Sequence, residues 1–542
     1  MKSLLPLGLV LLTACSQGGQ TAATAPSPDF NEARFRNDIK ILSSDAFEGR
    51  APTTAGEKLT LDYLSTAFKA AGLKGTNNGS FLQSVPMVTY NASENQAIRL
   101  GNLHPAYRKD IVLGSRHNNQ GVEISNAPLV FVGYGIKAPE YDWDDYAGLD
   151  MQGKIAVILV NDPGFAAPES GKFKGKAMTY YGRWSYKFEE ASRQGALGAI
   201  IIHDTAPASY PWSVIENSWT GPQQDLADAS QTDSRVQVEG WMTLDTAKAL
   251  FDEAGLSLDT LSQEAALTPG NHDLKQSADI AFTNSATFTD SYNLVATLPG
   301  TDRADEHILF TAHWDHIGKD DSRDGDKIYN GALDNASGVA GIVEIARQFA
   351  ALDAMGFKNR RSITFIATTG EEQGLLGSRY YAANPLFPID KTIAVLNLDS
   401  TNVFGRTKDF TIVGKGQSQL EDYLVAAAKA QGREAVAEKN PASGGFFRSD
   451  HFSFAKLGVS AAFAGGGSIP LDDATATYKA EMQQKMKGCY HNVCDEYRAD
   501  WDLSGALQDL ALYYDVARTL ANNEHRPGYY QKSEFYPLRP AN

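Results

Sequence analysis

A repeated alternation of short apolar strands and helices over residues 292–522 constrains the fold of this 542-residue chain more than any other feature. The predicted strands are short, apolar and rich in β-branched residues, as strands covered on both faces are; they are His307–Ala312, Ser362–Thr368 and Thr392–Leu398. The predicted helices are Gly338–Ala351, Gly377–Ala383, Gln417–Gln431 and Gly505–Asn522. This alternation predicts an α/β fold whose central sheet is mostly parallel and carries helices on both faces.

Two other sequence patterns precede this part of the chain. Apolar positions between Asn31 and Leu73 recur near the helical period, whereas strands such as Leu129–Val132 and Lys154–Val160 indicate a separate β-rich unit. We therefore predict six segments: a signal peptide at 1–14, a flexible tether at 15–28, the N-terminal part of the main domain at 29–118, an inserted β-rich domain at 119–272, the main α/β domain at 273–522 and a C-terminal tail at 523–542.

The amino terminus predicts export. A lysine, an apolar run from Leu4 to Leu12 and small residues before Cys15 form a secretory signal that is too short to span a bilayer. The string ending at Cys15 resembles a bacterial lipobox, whose cysteine is lipidated; the alternative is an ordinary cleaved signal with a chance cysteine. We expect a periplasmic or outer-membrane-anchored lipoprotein that touches the membrane only through this anchor. With a net charge of -16, the chain also lacks the basic clusters that nucleic-acid binding requires.

The other two cysteines, Cys489 and Cys494, lie five residues apart and flank Tyr490 and His491. An oxidising compartment permits a disulfide between them, which would staple the loop that presents His491. A pair of reduced thiols is the alternative. Metal ligation by the thiolates fits no common zinc spacing.

Acidic and imidazole side chains follow the predicted strands. In an open α/β sheet such residues gather beyond the carboxyl ends of the strands, and the strand ends carry His313, the pair Glu371-Glu372, and Asp399. Together with Asp334 and His491 they supply the ligand set for two divalent cations that share one carboxylate. Carboxylate and imidazole ligands accept zinc, manganese or cobalt.

The neighbours of these ligands suggest further roles. Adjacent residues of an extended segment point to opposite sides, so Glu372 would bind metal while Glu371 takes a proton from water as the general base. Asp315 is predicted to orient the metal-bound imidazole of His313, and His316 is interpreted as a loop residue without a role.

Three further interpretations stay open. Taken alone, Asp334 would be a helix N-cap, and only its context favours a bridging ligand. The hydroxyl of Tyr490 could donate to an oxyanion, although a Tyr-His pair most often lies on a surface loop. The polar string Ser449-Asp450-His451 belongs either to the site or to ordinary helix capping.

Five ordered motifs carry a resemblance to a known family. They are His313-Trp314-Asp315, Gly331-Ala332-Leu333-Asp334-Asn335-Ala336-Ser337-Gly338, Gly370-Glu371-Glu372-Gln373-Gly374, Asn397-Leu398-Asp399 and Tyr490-His491. This set resembles the family-28 metallopeptidases of the bacterial leucyl aminopeptidase type. The resemblance implies a zinc-exopeptidase fold, two Zn²⁺ per chain and peptide substrates.

The resemblance also implies how the ligands divide. One zinc would be held by His313, Asp334 and Asp399, and the other by Asp334, Glu372 and His491, with Glu371 as the base and Tyr490 as the oxyanion donor of some members. The β-rich segment is similar to a protease-associated domain, a lid or a substrate-selecting surface.

Relatives of this type leave alternatives to an aminopeptidase. A carboxypeptidase or dipeptidase for acidic substrates would want arginines in its pocket, and Arg448 is one candidate. A glutaminyl cyclase would use one zinc, and a catalytically silent binding protein would have lost its ligands. The sequence does not predict the oligomeric state.

Overall fold

The computed structural model describes residues 26–118, 120–227, 235–321 and 323–538. Two units share one long strand, His272–Leu298. Its first half pairs with strands of a β-rich unit, residues 93–283, which we call the insert; from Asn284 onwards it pairs with Leu82–Ala92 in the α/β unit, residues 26–92 and 284–538. Cys15, the signal peptide and most of the predicted tether lie outside the described residues.

The α/β unit is built on a mixed sheet that is mostly parallel at its centre. The strand Arg303–His313 runs parallel to both of its neighbours, Arg361–Thr368 and Thr392–Asn397. From one edge to the other the order is Glu434–Ala437, Asp409–Ile412, Ala461–Gly465, Thr392–Asn397, Arg303–His313, Arg361–Thr368, His272–Leu298 and Leu82–Ala92. The short strands Lys74–Gly75, Gly318–Lys319 and Ile328–Tyr329 lie outside this order.

Helices cover both faces of this sheet, as the strand pattern predicts. Along Arg303–His313, Ile308, Phe310 and Ala312 face the larger core, whereas Leu309 faces the smaller core on the opposite side. The helices of the unit are Glu32–Leu42, Ala55–Ala70, Ser337–Ala354, Leu376–Ala383, Leu420–Ala430, His451–Ala455, Asp473–Lys485 and Ser504–Asn522. Double-sided burial explains why the central strands are continuous apolar runs.

The insert has its own sheet and its own two cores. Its strands are Ala97–Leu100, Ile111–Gly114, Gly121–Phe131, Lys137–Ala138, Trp143–Asp144, Ile155–Leu159, Gly198–His203, Gln223–Leu226 and Val238–Thr243. Its helices are Pro163–Ala166, Trp184–Arg193, Thr205–Ala208, Trp212–Ser218, Leu244–Glu253 and Leu258–Ala265.

The structure corrects the predicted domain boundaries at 118/119 and 272/273. Ala97–Leu100 and Ile111–Gly114, which we expected in the main domain, pair with strands of the insert. The second boundary falls at the start of a continuous strand that serves both sheets. Because the backbone stays extended through Thr283 and Asn284, where the strand changes partners, a search of the sequence for breaks between elements could not reveal the transition.

In the described residues, the contacts between the insert and the α/β unit include a pair of strands and a group of aromatic rings. Gln223–Leu226 adds an antiparallel strand to the edge strand Leu82–Ala92. Near the carboxyl edge of the main sheet, the ring of Tyr180 packs against Phe447 and Phe452 with centroids 6.1 and 5.1 Å apart. Among the described residues, no helix combines the length and apolar character needed to cross a membrane.

Candidate metal centre

The carboxyl edge of the main sheet brings together the five side chains predicted as metal ligands. His313 ends a central strand, and Asp399 follows the next one. The Nε2 atom of His313 lies 3.3 Å from Asp334 Oδ1 and 3.4 Å from Asp399 Oδ1. On the other side, Nε2 of His491 lies 3.4 Å from Asp334 Oδ2. The two oxygens of Asp334 therefore face different imidazoles.

Glu372 completes the second group. One of its oxygens lies 3.0 Å from Nε2 of His491, and the other lies 2.6 Å from Nδ1 of His316. With bonds of about 2.0–2.1 Å, the ligand atoms of a tetrahedral zinc lie roughly 3.3–3.4 Å apart. The spacings around Asp334 fit this value, whereas the shorter contact of His316 is a hydrogen bond that orients Glu372.

His316 therefore has a role at the site, whereas the sequence predicted a loop residue without one. It does lie in the loop after Arg303–His313, but its imidazole is buried, and its Nε2 has no hydrogen-bond partner in the described residues. His316, Asp334 and Glu372 also place one potential ligand atom each within 4.8 Å of one another. Its burial between chain segments distant in sequence explains why local pattern gave no signal for it.

Glu371 lies beside the metal ligands. One of its oxygens is within 4.8 Å of ligand atoms of His313 and Glu372. Burial raises the pKa of Glu371 well above its ordinary value; His313 opposes the shift and the negative charge of Asp399 reinforces it. A buried carboxyl of raised pKa, next to cation ligands, is suited to receive a proton and release it again.

The charges of the ligands are strongly coupled. Burial alone would raise the pKa of Glu372, yet His316 and His491 lower it to about 2. Burial opposes protonation of His491, but Glu372 and Asp334 raise its pKa to about 10. His491 and Glu372 thus each stabilise the charged form of the other. Cations bound by the same atoms would replace the protons in that role.

Asp315 supports this edge through a contact other than the predicted one. Nδ1 of His313 is 3.2 Å from the backbone carbonyl of Asp315 but 3.9 Å from its carboxylate. The Asp315 carboxylate accepts instead from the backbone N–H of Glu371. Burial raises the pKa of Asp315 to about 7. Asp315 therefore positions the base segment, and its predicted role in orienting the imidazole of His313 stays a prediction.

The loop that carries Asp334 is held by residues that sequence reasoning did not assign. The carboxylate of Asp495 accepts from the backbone N–H groups of Leu333 and Asp334, both at 3.0 Å. Asn335 Oδ1 accepts from the N–H of Ser400, which ties this loop to the one that follows Thr392–Asn397. These partners are remote in sequence, so no motif spacing could have revealed them.

Arg50 joins the N-terminal segment to the site. Its buried guanidinium donates to the carbonyls of Leu42, Trp314, Asn330 and Gly331 at 2.7–2.9 Å. Burial lowers its pKa to about 10. One side chain thus ties together the loops that lead to the two ligand groups.

Gly331 occupies a position that needs a glycine. Its φ is +52°, and a Cβ there would lie 2.3 Å from the carbonyl oxygen of Asp334 and 2.5 Å from the ring of His316. The absence of a side chain lets the Asp334 loop and the buried imidazole approach each other.

The loop of His491 is closed by a disulfide between Cys489 and Cys494. The Tyr490 ring stacks on His491 with centroids 3.9 Å apart, and the Tyr490 side chain is three-quarters exposed. Burial of the hydroxyl region and the carboxylates of the site raise the pKa of Tyr490. Its role as an oxyanion donor stays a prediction.

Residues 293–515 match the sequence profile of Peptidase family M28. This part of the chain belongs to peptidase family M28. The match covers the strands, loops and ligands of the metal centre described above, and it confirms the resemblance and the fold class predicted from the five motifs. The insert precedes the matched residues, and its protease-associated character stays a prediction.

The curated proteins similar to this chain include a probable zinc metalloprotease and an aminopeptidase. A probable zinc metalloprotease of Pyrenophora tritici-repentis is 39% identical over 111 residues, 20% of this chain and 23% of that protein. The rat aminopeptidase NAALADL1 is 25% identical over 345 residues, 56% of this chain and 42% of that protein. The chain thus spans less than half the length of either curated relative.

An aminopeptidase from Aneurinibacillus sp. strain AM-1 shares the fold over nearly the whole chain. The two structures align with a TM-score of 0.51 and 21% identity, covering 95% of this chain and 97% of that one. The insert and the M28 unit therefore occur together in a known architecture.

Proposed function

We propose that the protein is a di-zinc aminopeptidase that removes amino-terminal residues from peptides. The observation that carries the proposal is the position of the Asp334 carboxylate between two imidazoles. Its two oxygens lie 3.3 and 3.4 Å from the imidazoles of His313 and His491. One carboxylate set between two ligand groups is the arrangement that two neighbouring cations require.

The donor set fits zinc. His313 and Asp399 would complete one site with Asp334, and Glu372 and His491 would complete the other. When bound, two zinc ions supply Lewis acidity toward the scissile carbonyl and toward a water molecule.

The chain's own residues would perform the remaining steps. Glu371 takes the proton of the attacking water and passes it to the leaving amine, because its raised pKa lets it hold the proton between the two transfers. The backbone N–H of Glu371 is fixed by Asp315, so the base stays aimed at the centre. Tyr490, beside His491, would donate to the developing oxyanion.

The excess of carboxylates supports action at a free amino terminus. The acidic side chains of Asp334, Glu371, Glu372 and Asp399 meet at this edge with only a few imidazoles. Part of that negative charge would be available to bind a substrate ammonium group. The relatives named above as aminopeptidases support the same choice.

The test compares unblocked and amino-blocked substrates on one preparation. We expect leucine p-nitroanilide to be cleaved and its N-acetyl derivative to resist, with two zinc ions per chain by elemental analysis. Removal of zinc by a chelator should abolish turnover and its return should restore it. Release of a carboxyl-terminal residue from an N-acetylated peptide would show a carboxypeptidase instead. One metal per chain together with cyclisation of amino-terminal glutamine would show a glutaminyl cyclase, and a zinc-loaded protein that cleaves neither substrate would be a silent binding protein.

We propose further that the enzyme acts in a bacterial cell envelope, lipidated at Cys15. The lipobox-like sequence supports this location, and the Cys489–Cys494 disulfide supports an oxidising compartment. Mass spectrometry of the mature amino terminus checks the proposal, since a diacylglycerol on Cys15 is expected and an unmodified start elsewhere would contradict it.

A further inference from the structure

Two arginines, one from each unit, lie where the insert packs against the metal-binding edge. Arg183 lies immediately before the insert helix Trp184–Arg193, three residues after Tyr180. Arg448 follows Phe447, and the rings of Tyr180 and Phe447 are in contact. The two guanidinium groups are close enough that Arg448 lowers the pKa of Arg183, after the larger effect of burial. Such a pairing of like charges needs an explanation.

Neither guanidinium has a carboxylate partner within the described parts of the chain. Nε of Arg183 is buried and donates to no acceptor there. The group lies 5.7 Å from the ring of Trp184, and the guanidinium of Arg448 lies 5.9 Å from the ring of Tyr210. Aromatic faces hold these cations in place, but they do not satisfy the N–H donors.

Some other arginines that are buried or half-buried have carboxylate partners. Arg235 is paired with Asp225 and Glu239, and Arg433 is paired with Asp509. A buried, hydrogen-bonding cation without an acceptor is costly. The unpaired Nε of Arg183 therefore points to an anion that the described residues do not supply.

The positions of Arg183 and Arg448 can be compared with that of Glu371. Glu371 is near enough to raise the pKa of Arg183. Arg448 lies two residues before Asp450, which accepts a hydrogen bond from Thr368 at the end of the strand that leads to Glu371. Arg183 thus lies on the Glu371 side of the metal centre, and Arg448 lies close in sequence to a residue that contacts the strand leading to Glu371.

Resting on the proposed function, we propose that Arg183 and Arg448 bind a carboxylate of the substrate, so that the enzyme prefers peptides with a negative charge close behind the scissile bond. Guanidinium groups bind carboxylates with paired, charge-assisted hydrogen bonds. Two sources share this chemistry: the α-carboxylate of a di- or tripeptide, and an acidic side chain in a longer one.

The experiment measures a ratio of rates. We compare kcat/KM for Leu-Ala-Ala with that for Leu-Ala-Ala-amide, and expect the free acid to be preferred by roughly 10- to 100-fold, chiefly through KM. Leu-Glu-Ala-amide separates the sources: a rate near that of the free acid assigns the site to acidic side chains as well, and a rate near that of the neutral amide assigns it to the α-carboxylate.

Variants locate the preference. Arg448→Gln and Arg183→Gln should each bring the acid-to-amide ratio toward one, and because the readout is a ratio, a general loss of folded protein does not imitate it. Arg448 is exposed, so its variant tests the site even where Arg183→Gln folds poorly. The matched control Lys248→Gln removes a surface cation of the insert that pairs with Asp259, and it should keep the wild-type ratio.

Failure of this proposal is distinct from failure of the proposed function. If the zinc enzyme cleaves leucine p-nitroanilide but treats acid and amide alike, the arginine pair is not a carboxylate site and the aminopeptidase stands. If no substrate is cleaved, calorimetric binding of Leu-Ala-Ala and its amide still decides the point. Equal affinities would overturn the proposal, and tighter binding of the acid that is lost in Arg448→Gln would uphold it.

Discussion

The insert and the metal-binding edge of the α/β unit both bury several charges, but they satisfy them in opposite ways. In the insert, the buried Nζ of Lys187 donates to the carbonyl of Tyr134 and faces Asp145 and Asp162. Asp162 in turn accepts from the backbone and hydroxyl of Thr179. Every charge in this group has a partner from the chain itself.

At the metal-binding edge the balance is different. Carboxylates outnumber the imidazoles, and polar atoms such as Oδ2 of Asp315 and Nε2 of His316 lack partners in the described residues. Burying uncompensated charge is costly. The comparison teaches that burial of charge alone does not mark a functional site, whereas burial without internal compensation does.

The largest expected effect is on turnover at the uncompensated site. Glu371→Gln should lower kcat/KM by roughly 10²–10⁴-fold, because proton transfer loses its carrier. Zinc content should stay near that of the wild type, and the zinc-free variant should be more stable to urea, since one of several like charges is gone. Glu481→Gln, on an exposed helix position, is the control. Unchanged turnover in Glu371→Gln would remove the residue from its role.

Removing the cation from the paired group in the insert should instead lower the free energy of unfolding. Lys187→Met leaves Asp145 and Asp162 buried without their cation, and we expect the free energy of unfolding to fall by about 3–5 kcal/mol. Urea denaturation measures the loss, and zinc content per folded chain should not change. A variant that stays stable but loses zinc would contradict the contrast between the insert, whose buried charges are paired, and the metal-binding edge.

A smaller effect tests the role of His316. His316→Ala removes the hydrogen bond that orients Glu372, and it should weaken zinc binding roughly 10- to 100-fold, as the loss of a residue supporting a metal ligand commonly does. Competition with a chelator of known affinity measures the change. His104→Ala, at an exposed position in the insert, serves as the control. Zinc affinity equal to that of the control would return His316 to a purely structural role.

The smallest effect concerns the ion pairs that join the units. Asp225 contacts Arg235 and Arg379, and although burial would raise its pKa, these cations lower it to about 2. A carboxyl with a lowered pKa stabilises the fold above its unfolded pKa of about 4, and this contribution disappears as the pH falls through 2. Asp225→Asn should thus cost about 2 kcal/mol at pH 7.

Urea midpoints at several pH values check that sign. The difference between wild type and Asp225→Asn should be constant above pH 5 and shrink between pH 4 and pH 2. A difference that grows on acidification would mean that the carboxylate is not the stabilising form.

Strong local patterns made much of the α/β unit predictable. The predicted strands Ser362–Thr368 and Thr392–Leu398 match the observed Arg361–Thr368 and Thr392–Asn397 within a residue. The long strand His272–Leu298 escaped prediction because its first half alternates exposed and buried positions in one sheet and its second half belongs to another.

The residues of the site also differ in whether the sequence could predict them. His313, Asp334 and Glu372 could be singled out because each sits at the end of an apolar run or in a small-residue loop. Arg50 and Asp495 could not, because their contacts join segments far apart in sequence. Nothing in their immediate neighbours distinguishes them from surface charges.

The sequence by itself determined the parallel core, the order of the metal-binding motifs and the membership of this region in peptidase family M28. Apolar periodicity and short motifs are local properties, and they survive without any knowledge of packing. The tertiary structure alone decided that Asp334 turns one oxygen to each imidazole, that His316 holds Glu372, and that Arg448 lies beside Tyr210 of the insert. Those outcomes depend on distances between segments hundreds of residues apart, which only the packing of the whole chain sets.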